Sequence, residues 1–240
     1  MQMTSSIVDD SKQRAAKVAG SAYLASFTLV VYNNFGVHDK LNVPGDAAET
    51  ARRIVENEGL FRLGIMVDMT YAVLFVALLS SLYFILKETS PRLTLLAVFW
   101  QLIYVITWVV LTVKFFEALR LMNAPDYLLT IEEGERYAIS KLLLAARFDR
   151  YYATLMFYSM GSLFFNAVWL RSGFIPKWLA IWGIAACVWC TFCAIAFLLS
   201  PDFQKIVNPW LFDLPMAFFD MALSVWLLAK GLRAPVSMAV

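Results

Sequence analysis

Five stretches of this chain run for roughly 20 residues without a charged side chain, and no water-facing fold can hide that much continuous apolar sequence. They are 18–37, 69–86, 93–113, 151–170 and 178–200. At about 1.5 Å per residue of helix, each is long enough to cross a hydrocarbon core about 30 Å thick. A sixth stretch, 209–229, has the right length but carries Asp213 and Asp220. Trp, Phe, Leu and Met fill the rest of it, and Lys230 and Arg233 close it with a basic flank, so it too reads as a span. The expected fold is all-α: a polytopic membrane helix bundle of about six transmembrane helices, with two short external amphipathic helices. Composition agrees, since 61% of the 240 residues are hydrophobic and 16% are charged.

The short connections set the orientation. Lys12, Arg14 and Lys17 precede the first span, Lys87 and Arg92 separate the second and third, Arg171 and Lys177 separate the fourth and fifth, and Lys230 and Arg233 follow the last. All fall on one side, where Asp9, Asp10 and Glu88 are the only acids. By the positive-inside rule both termini are cytoplasmic. The first apolar run is longer than a signal-peptide core and no small-residue cleavage site follows Asn33 and Asn34, so it is expected to stay attached. The organisation is then a cytoplasmic tail over 1–17, a single transmembrane domain over 18–231 and a tail over 232–240. Within that domain the helices are placed at about 18–37, 60–86, 93–116, 149–170, 176–200 and 209–229.

Two connections on the other side are longer. In the first, Gly45 and Asp46 precede Ala47, Ala48 and Glu49, a capping-box pattern that predicts a short helix stopping near Gly59. In the second, Thr130 stands three residues before Glu133 and predicts a helix start, with Gly134 weakening its continuity.

Charge and ligand chemistry exclude several functions. A net charge of +2 with scattered Lys and Arg gives no nucleic-acid footprint. The single His38 lies in a polar loop, and Cys187, Cys190 and Cys193 share one apolar run. No disulfide, metal site or cofactor is expected from them; the three thiols read as small packing residues. Neither a phosphate-binding glycine loop nor the paired broken helices of an inverted-repeat transporter is present.

What remains is polarity at depth. Asp220 stands ten residues before Lys230, roughly 15 Å into the membrane. The same count brings Gln101, Tyr104 and Ser162 to about 14 to 18 Å. Asp213, two turns earlier on nearly the same face, falls near the external surface. A carboxylate at mid-span costs about 2.5 to 3.5 kcal/mol on insertion scales, so it requires a partner, a proton or a function. It is either a hydrogen-bonded lock between helices or an acid that binds a proton or a ligand, and the second reading is preferred. Pro215 adds to it by releasing the carbonyl of Leu211.

A second group sits at the outer ends of the spans: Arg62, Asp68, Lys114, Glu117, Arg147, Asp149 and Arg150. Interfacial ion pairs explain most of these, and a vestibule for an anionic or lipid headgroup ligand is the alternative. Ser159, Ser162 and Asn166 share one helix face and read as helix-contact residues.

The ordered segments Gly45-Asp46-Ala47-Ala48-Glu49-Thr50-Ala51, Leu60-Phe61-Arg62-Leu63-Gly64, Ser172-Gly173-Phe174-Ile175-Pro176 and Trp226-Leu227-Leu228-Ala229-Lys230-Gly231 resemble a large bacterial family of multi-pass membrane proteins known as a domain of unknown function. The resemblance covers Ala19 to Gly231. It implies an inner-membrane protein of this topology and brings no activity. In that family's pattern an acid, usually glutamate, precedes the final Trp-Leu-Leu segment, a place held here by Asp220.

The expected function is non-enzymatic. A small lipophilic or lipid ligand would bind in an intramembrane cavity open to the outside and move with a proton on Asp220. The alternatives are a metal-free acid–base enzyme acting on an isoprenoid or lipid, with Asp68 or Tyr104 as the counterpart of Asp220, and a structural subunit of a membrane complex. Expected partners are membrane lipids and the lipophilic ligand, with a homo-oligomer or a protein partner left open.

Overall fold

The structure, a computed structural model, describes residues 9–43, 46–123, 130–145, 147–200 and 202–234. It is all-α, with no strand among the described residues. Among the described residues, six helices are long and apolar enough to cross a membrane. In chain order the elements are α1 (Asp10–Val31), a π-helical segment (Tyr32–His38), α2 (Asp39–Leu41), α3 (Ala47–Glu56), α4 (Glu58–Leu86), α5 (Pro91–Asn123), α6 (Glu133–Ala145), α7 (Arg147–Ser172), α8 (Lys177–Leu199), α9 (Phe203–Ile206) and α10 (Trp210–Ala229).

Local chemistry sets the ends. Pro91 opens α5 at a first-turn position, where its missing N–H costs nothing. Gly173 and Gly231, both at φ 67°, end α7 and α10 in the left-handed conformation that a side chain would oppose. The first span departs most from expectation. It starts at Asp10, inside the expected tail, and α1, the π segment and α2 run through to Leu41 as one apolar rod.

The described residues cluster into two compact units. One comprises residues 9–27, 74–104, 153–200 and 202–234. Within it α8 packs along α10, with Trp182 edge-on to Phe219 at 6.2 Å and Phe197 to Phe212 at 6.3 Å. Ser224 Oγ donates to the carbonyl of Gly20 at 2.9 Å, joining α10 to α1. At one end Gln13 donates to the carbonyl of Leu232 at 2.8 Å and accepts from its N–H at 3.0 Å. The N–H of Arg233 donates to the carbonyl of Phe174 at 2.8 Å, and Lys12 pairs with Glu88. Phe174, in the segment 172–176 that carries the family resemblance, is thus joined to Arg233, two residues after the segment 226–231.

The other unit comprises residues 28–43, 46–73, 105–123, 130–145 and 147–152. Its apolar core is built from Val37, Leu41, Ile54, Phe61, Phe115 and Leu119. The π segment carries Asn33, whose amide donates to Asp68 at 2.7 Å and to the carbonyl of Gly64 at 3.2 Å. The capping residue of α3 is Asp46, which accepts from the N–H groups of Ala48 and Glu49. Glu49 turns away to Arg52 and Arg53 and does not complete the box. The helix ends at Glu56, and Gly59 lies inside α4, so the stop comes at Asn57, before the glycine. The helix after Thr130 begins at Glu133, with the carbonyl of Glu132 accepting from Arg136 N–H at 3.0 Å. Gly45 lies outside the described residues.

One contact recurs: a buried or half-buried Asn or Gln side chain packed close against a glycine. A Cβ on Gly64 would come within 2.9 Å of Asn33, one on Gly161 within 2.6 Å of Gln101 and one on Gly183 within 2.6 Å of Asn166, and one on Gly231 would clash with Gln13. Without water between spans, small residues let helices approach and polar side chains bind them together. Each pair here combines the two.

Candidate functional site

Asp220 belongs to the third turn of α10, between the buried Met216, Phe219 and Leu223. The phenol of Tyr158, on α7, donates to Asp220 Oδ2. The other oxygen, Oδ1, is shut off from solvent and has no hydrogen-bond partner among the described residues. Every apolar neighbour that makes this a poor place for charge also leaves Oδ1 with an unfilled acceptor.

Tyr158 connects the residues singled out by depth. Gln101 Nε2 donates to the carbonyl of Tyr158 at 3.1 Å and to Ser162 Oγ at 2.8 Å. The ring of Tyr104 packs on that of Tyr158 at 4.9 Å, and Phe75 touches both, at 5.6 and 6.1 Å. Gln101, Tyr104 and Ser162 thus meet around Tyr158, and Tyr158 is the side chain that reaches the acid. Sequence reasoning passed over it among the many aromatics. The available signal was its position one turn before Ser162, on the face that Ser162 and Asn166 continue.

Asp213 lies in the first turn of α10, two turns from Asp220. Between them Pro215 releases the carbonyl of Leu211, and that oxygen accepts the indole N–H of Trp189 on α8 at 2.7 Å. Ser159 Oγ accepts from Thr191 at 2.8 Å, and Asn166 Nδ2 donates to Cys187 Sγ at 3.5 Å, so this face of α7 meets α8. Cys187, Cys190 and Cys193 are free thiols, all buried in packing. Among the described residues no group of His, Cys, Asp or Glu is arranged to hold a metal ion.

The outer charges divide. Arg62 pairs with Glu58 one turn back and lies over the Phe116 ring at 5.9 Å. Lys114 pairs with Glu117 at 2.8 Å. Asp68 differs: it is 6% exposed and held by Asn33, so burial sets it apart from the half-exposed Arg62, Lys114 and Glu117. Arg147, Asp149 and Arg150 lie on the first turn of α7, and their side chains fall outside the described residues.

Six long apolar helices, one of them carrying a partly satisfied acid, define an all-α, multi-pass membrane protein. The chain belongs to the family described as Domain of unknown function (DUF4386), which it matches over residues 18–231. No curated protein and no solved structure gives a match.

Proposed function

We propose that this is a bacterial inner-membrane protein, both termini cytoplasmic, that binds a small lipophilic or lipid ligand beside Asp220 and exchanges a proton on that carboxyl, with access from the external side. The observation that carries the reading is the divided state of the carboxyl. Oδ2 accepts from Tyr158 while Oδ1 is buried with its acceptor unfilled. A carboxyl serving only to lock helices gains nothing from an empty oxygen, whereas an acid that takes up a proton or a ligand donor requires one. Asp213, toward the opposite end of α10 from Lys230, supports an external approach.

The test uses detergent-purified protein and the uncharged probe diphenylhexatriene. Saturable binding should vary with pH in the wild type and lose that dependence in Asp220→Asn. Infrared spectra should show a protonated carboxyl band that disappears in the same variant. A folded Asp220→Asn that binds identically at every pH would overturn the reading. A C-terminal reporter fusion active only in the cytoplasm should be active.

One contact supports a second reading, an acid–base enzyme acting on an isoprenoid or lipid. Tyr158 stands within hydrogen-bond reach of Asp220 and replaces Tyr104 and Asp68 as its counterpart. Native mass spectrometry separates these from a structural subunit: a retained lipid supports binding or chemistry, and a stoichiometric protein partner supports a subunit.

A further inference from the structure

The unit that holds Asp220 has an unbalanced interior. Its helical segments over residues 18–27, 74–86, 93–104, 153–170, 178–199 and 210–229 contain no Lys, Arg or His, and their only acids are Asp213 and Asp220. The basic residues of this unit stand at the helix ends, where Lys12 pairs with Glu88 and Arg233 lies over the Trp226 ring. Nothing in the protein's own spans there can neutralise a carboxylate.

From this charge pattern and the empty Oδ1 we infer that the ligand of Asp220 is a lipophilic monovalent organic cation, and that it and the proton occupy the carboxyl in alternation. The inference rests on reading Asp220 as a ligand-binding acid. It narrows the ligand by elimination. An anionic ligand would place a second negative charge beside Asp220 with no cation to meet it. A neutral lipophile gives the carboxyl no countercharge once its proton leaves, so it cannot alternate with the proton. A cation with an apolar body neutralises the charge and suits the surroundings, which are Met216, Phe219 and Leu223 on α10 and the rings of Tyr158, Tyr104 and Phe75. Aromatic faces near a bound cation add to its stability.

The groups around Asp220 leave it as the centre of exchange. Tyr158 reaches it from α7 with Tyr104 of α5 behind, and Cys187 of α8 lies within electrostatic reach. Within residues 18–27 of α1 the titratable residue is Tyr23, with Asp10, Lys12, Arg14 and Lys17 in the helix's first turns, and Asp213 is the second acid of α10. Phenols and thiols ordinarily ionise at alkaline pH, so the carboxyls are the groups in this unit's spans that can exchange a proton for a cation below that range. Binding is then an exchange: the cation enters, the carboxyl proton leaves, and net charge in the site is unchanged.

Tetraphenylphosphonium, which carries no proton, is the probe, measured by equilibrium dialysis against the detergent-purified full chain. Affinity should rise by up to about tenfold per pH unit while Asp220 is protonated in the free protein, with about one proton released per cation bound in weak buffer. Asp220→Asn should abolish both effects, and Asp220→Glu should retain them. Saturable binding of diphenylhexatriene that depends on pH and Asp220, without any binding of tetraphenylphosphonium, would overturn the cation assignment and leave the proposed function standing. Phosphonium binding that releases no proton, or that survives in Asp220→Asn, would also overturn it. If Asp220→Asn does not fold, the proton release of the wild type and Asp220→Glu decide the question.

Discussion

The indole N–H of Trp189 donates to the carbonyl oxygen of Leu211 at 2.7 Å, filling the acceptor that Pro215 leaves empty one turn later in α10. A helix that gives up a backbone hydrogen bond within a span must recover it from a neighbour. Here the donor comes from α8. Trp189→Phe removes the donor and should cost about 1 to 3 kcal/mol in thermal unfolding. In a Pro215→Ala background, where the restored backbone N–H again reaches the Leu211 carbonyl, the same change should cost clearly less. Equal costs in the two backgrounds would show that the contact does not stabilise the helix pair.

The amide and glycine pairs predict a contrast within one residue type. Gly183→Ala drives a methyl to 2.6 Å from Asn166 in a buried helix contact and should lower stability by about 1 to 3 kcal/mol. Gly59→Ala, in the first turn of α4 with nothing within 4 Å of the new methyl, should raise it by about 0.4 to 1 kcal/mol. Matched shifts in the midpoint of thermal unfolding, opposite in sign, are the expected result.

Tyr158 and Asp220 should behave as a coupled pair. Tyr158→Phe leaves both oxygens of Asp220 without a donor, whereas in Asp220→Asn the same change removes a different contact. A double-mutant cycle on stability is expected to show a coupling of about 0.5 to 3 kcal/mol. Strict additivity would mean that the contact between α7 and α10 carries no energy.

Outside the spans, hydrogen bonds from Arg52 and then Arg53 hold Glu49 at a pKa of about 2, below its ordinary 4.5. Its contribution to α3 is therefore complete above about pH 4.5 and fades as pH falls toward 2. Hydrogen exchange of the α3 amides should accelerate over that window, beyond the intrinsic pH effect. In Glu49→Gln the excess should disappear.

The spans were legible in the sequence because a membrane imposes one requirement on all of them, a long uncharged run, and 178–200 or 93–113 meets it without reference to any neighbour. The π segment was not, since nothing in Tyr32–His38 distinguishes it from α-helix until Asn33 is seen to reach Asp68 and Gly64. Counting depth brought Gln101, Tyr104 and Ser162 to one level, and they do converge, but on a residue the count omitted. Tyr158 Cα lies about 20 Å from the Arg171 flank by the same count. Its phenol acts several ångströms away from that Cα, and a count along the backbone cannot register side-chain reach. The burial of Asp68 was not legible for a related reason: a charge near a helix end does not show, in sequence, the partner that covers it, here Asn33.

The clasp between Gln13 and Leu232 joins residues 219 positions apart, and that between Gly20 and Ser224 joins residues 204 apart. At a synthesis rate of about 5 to 20 residues per second, α1 waits roughly 10 to 40 s for the partners that complete its packing. During that interval Gly20 and Gln13 lack the contacts that Ser224 and Leu232 later supply, so the first helix is the last to be fully paired.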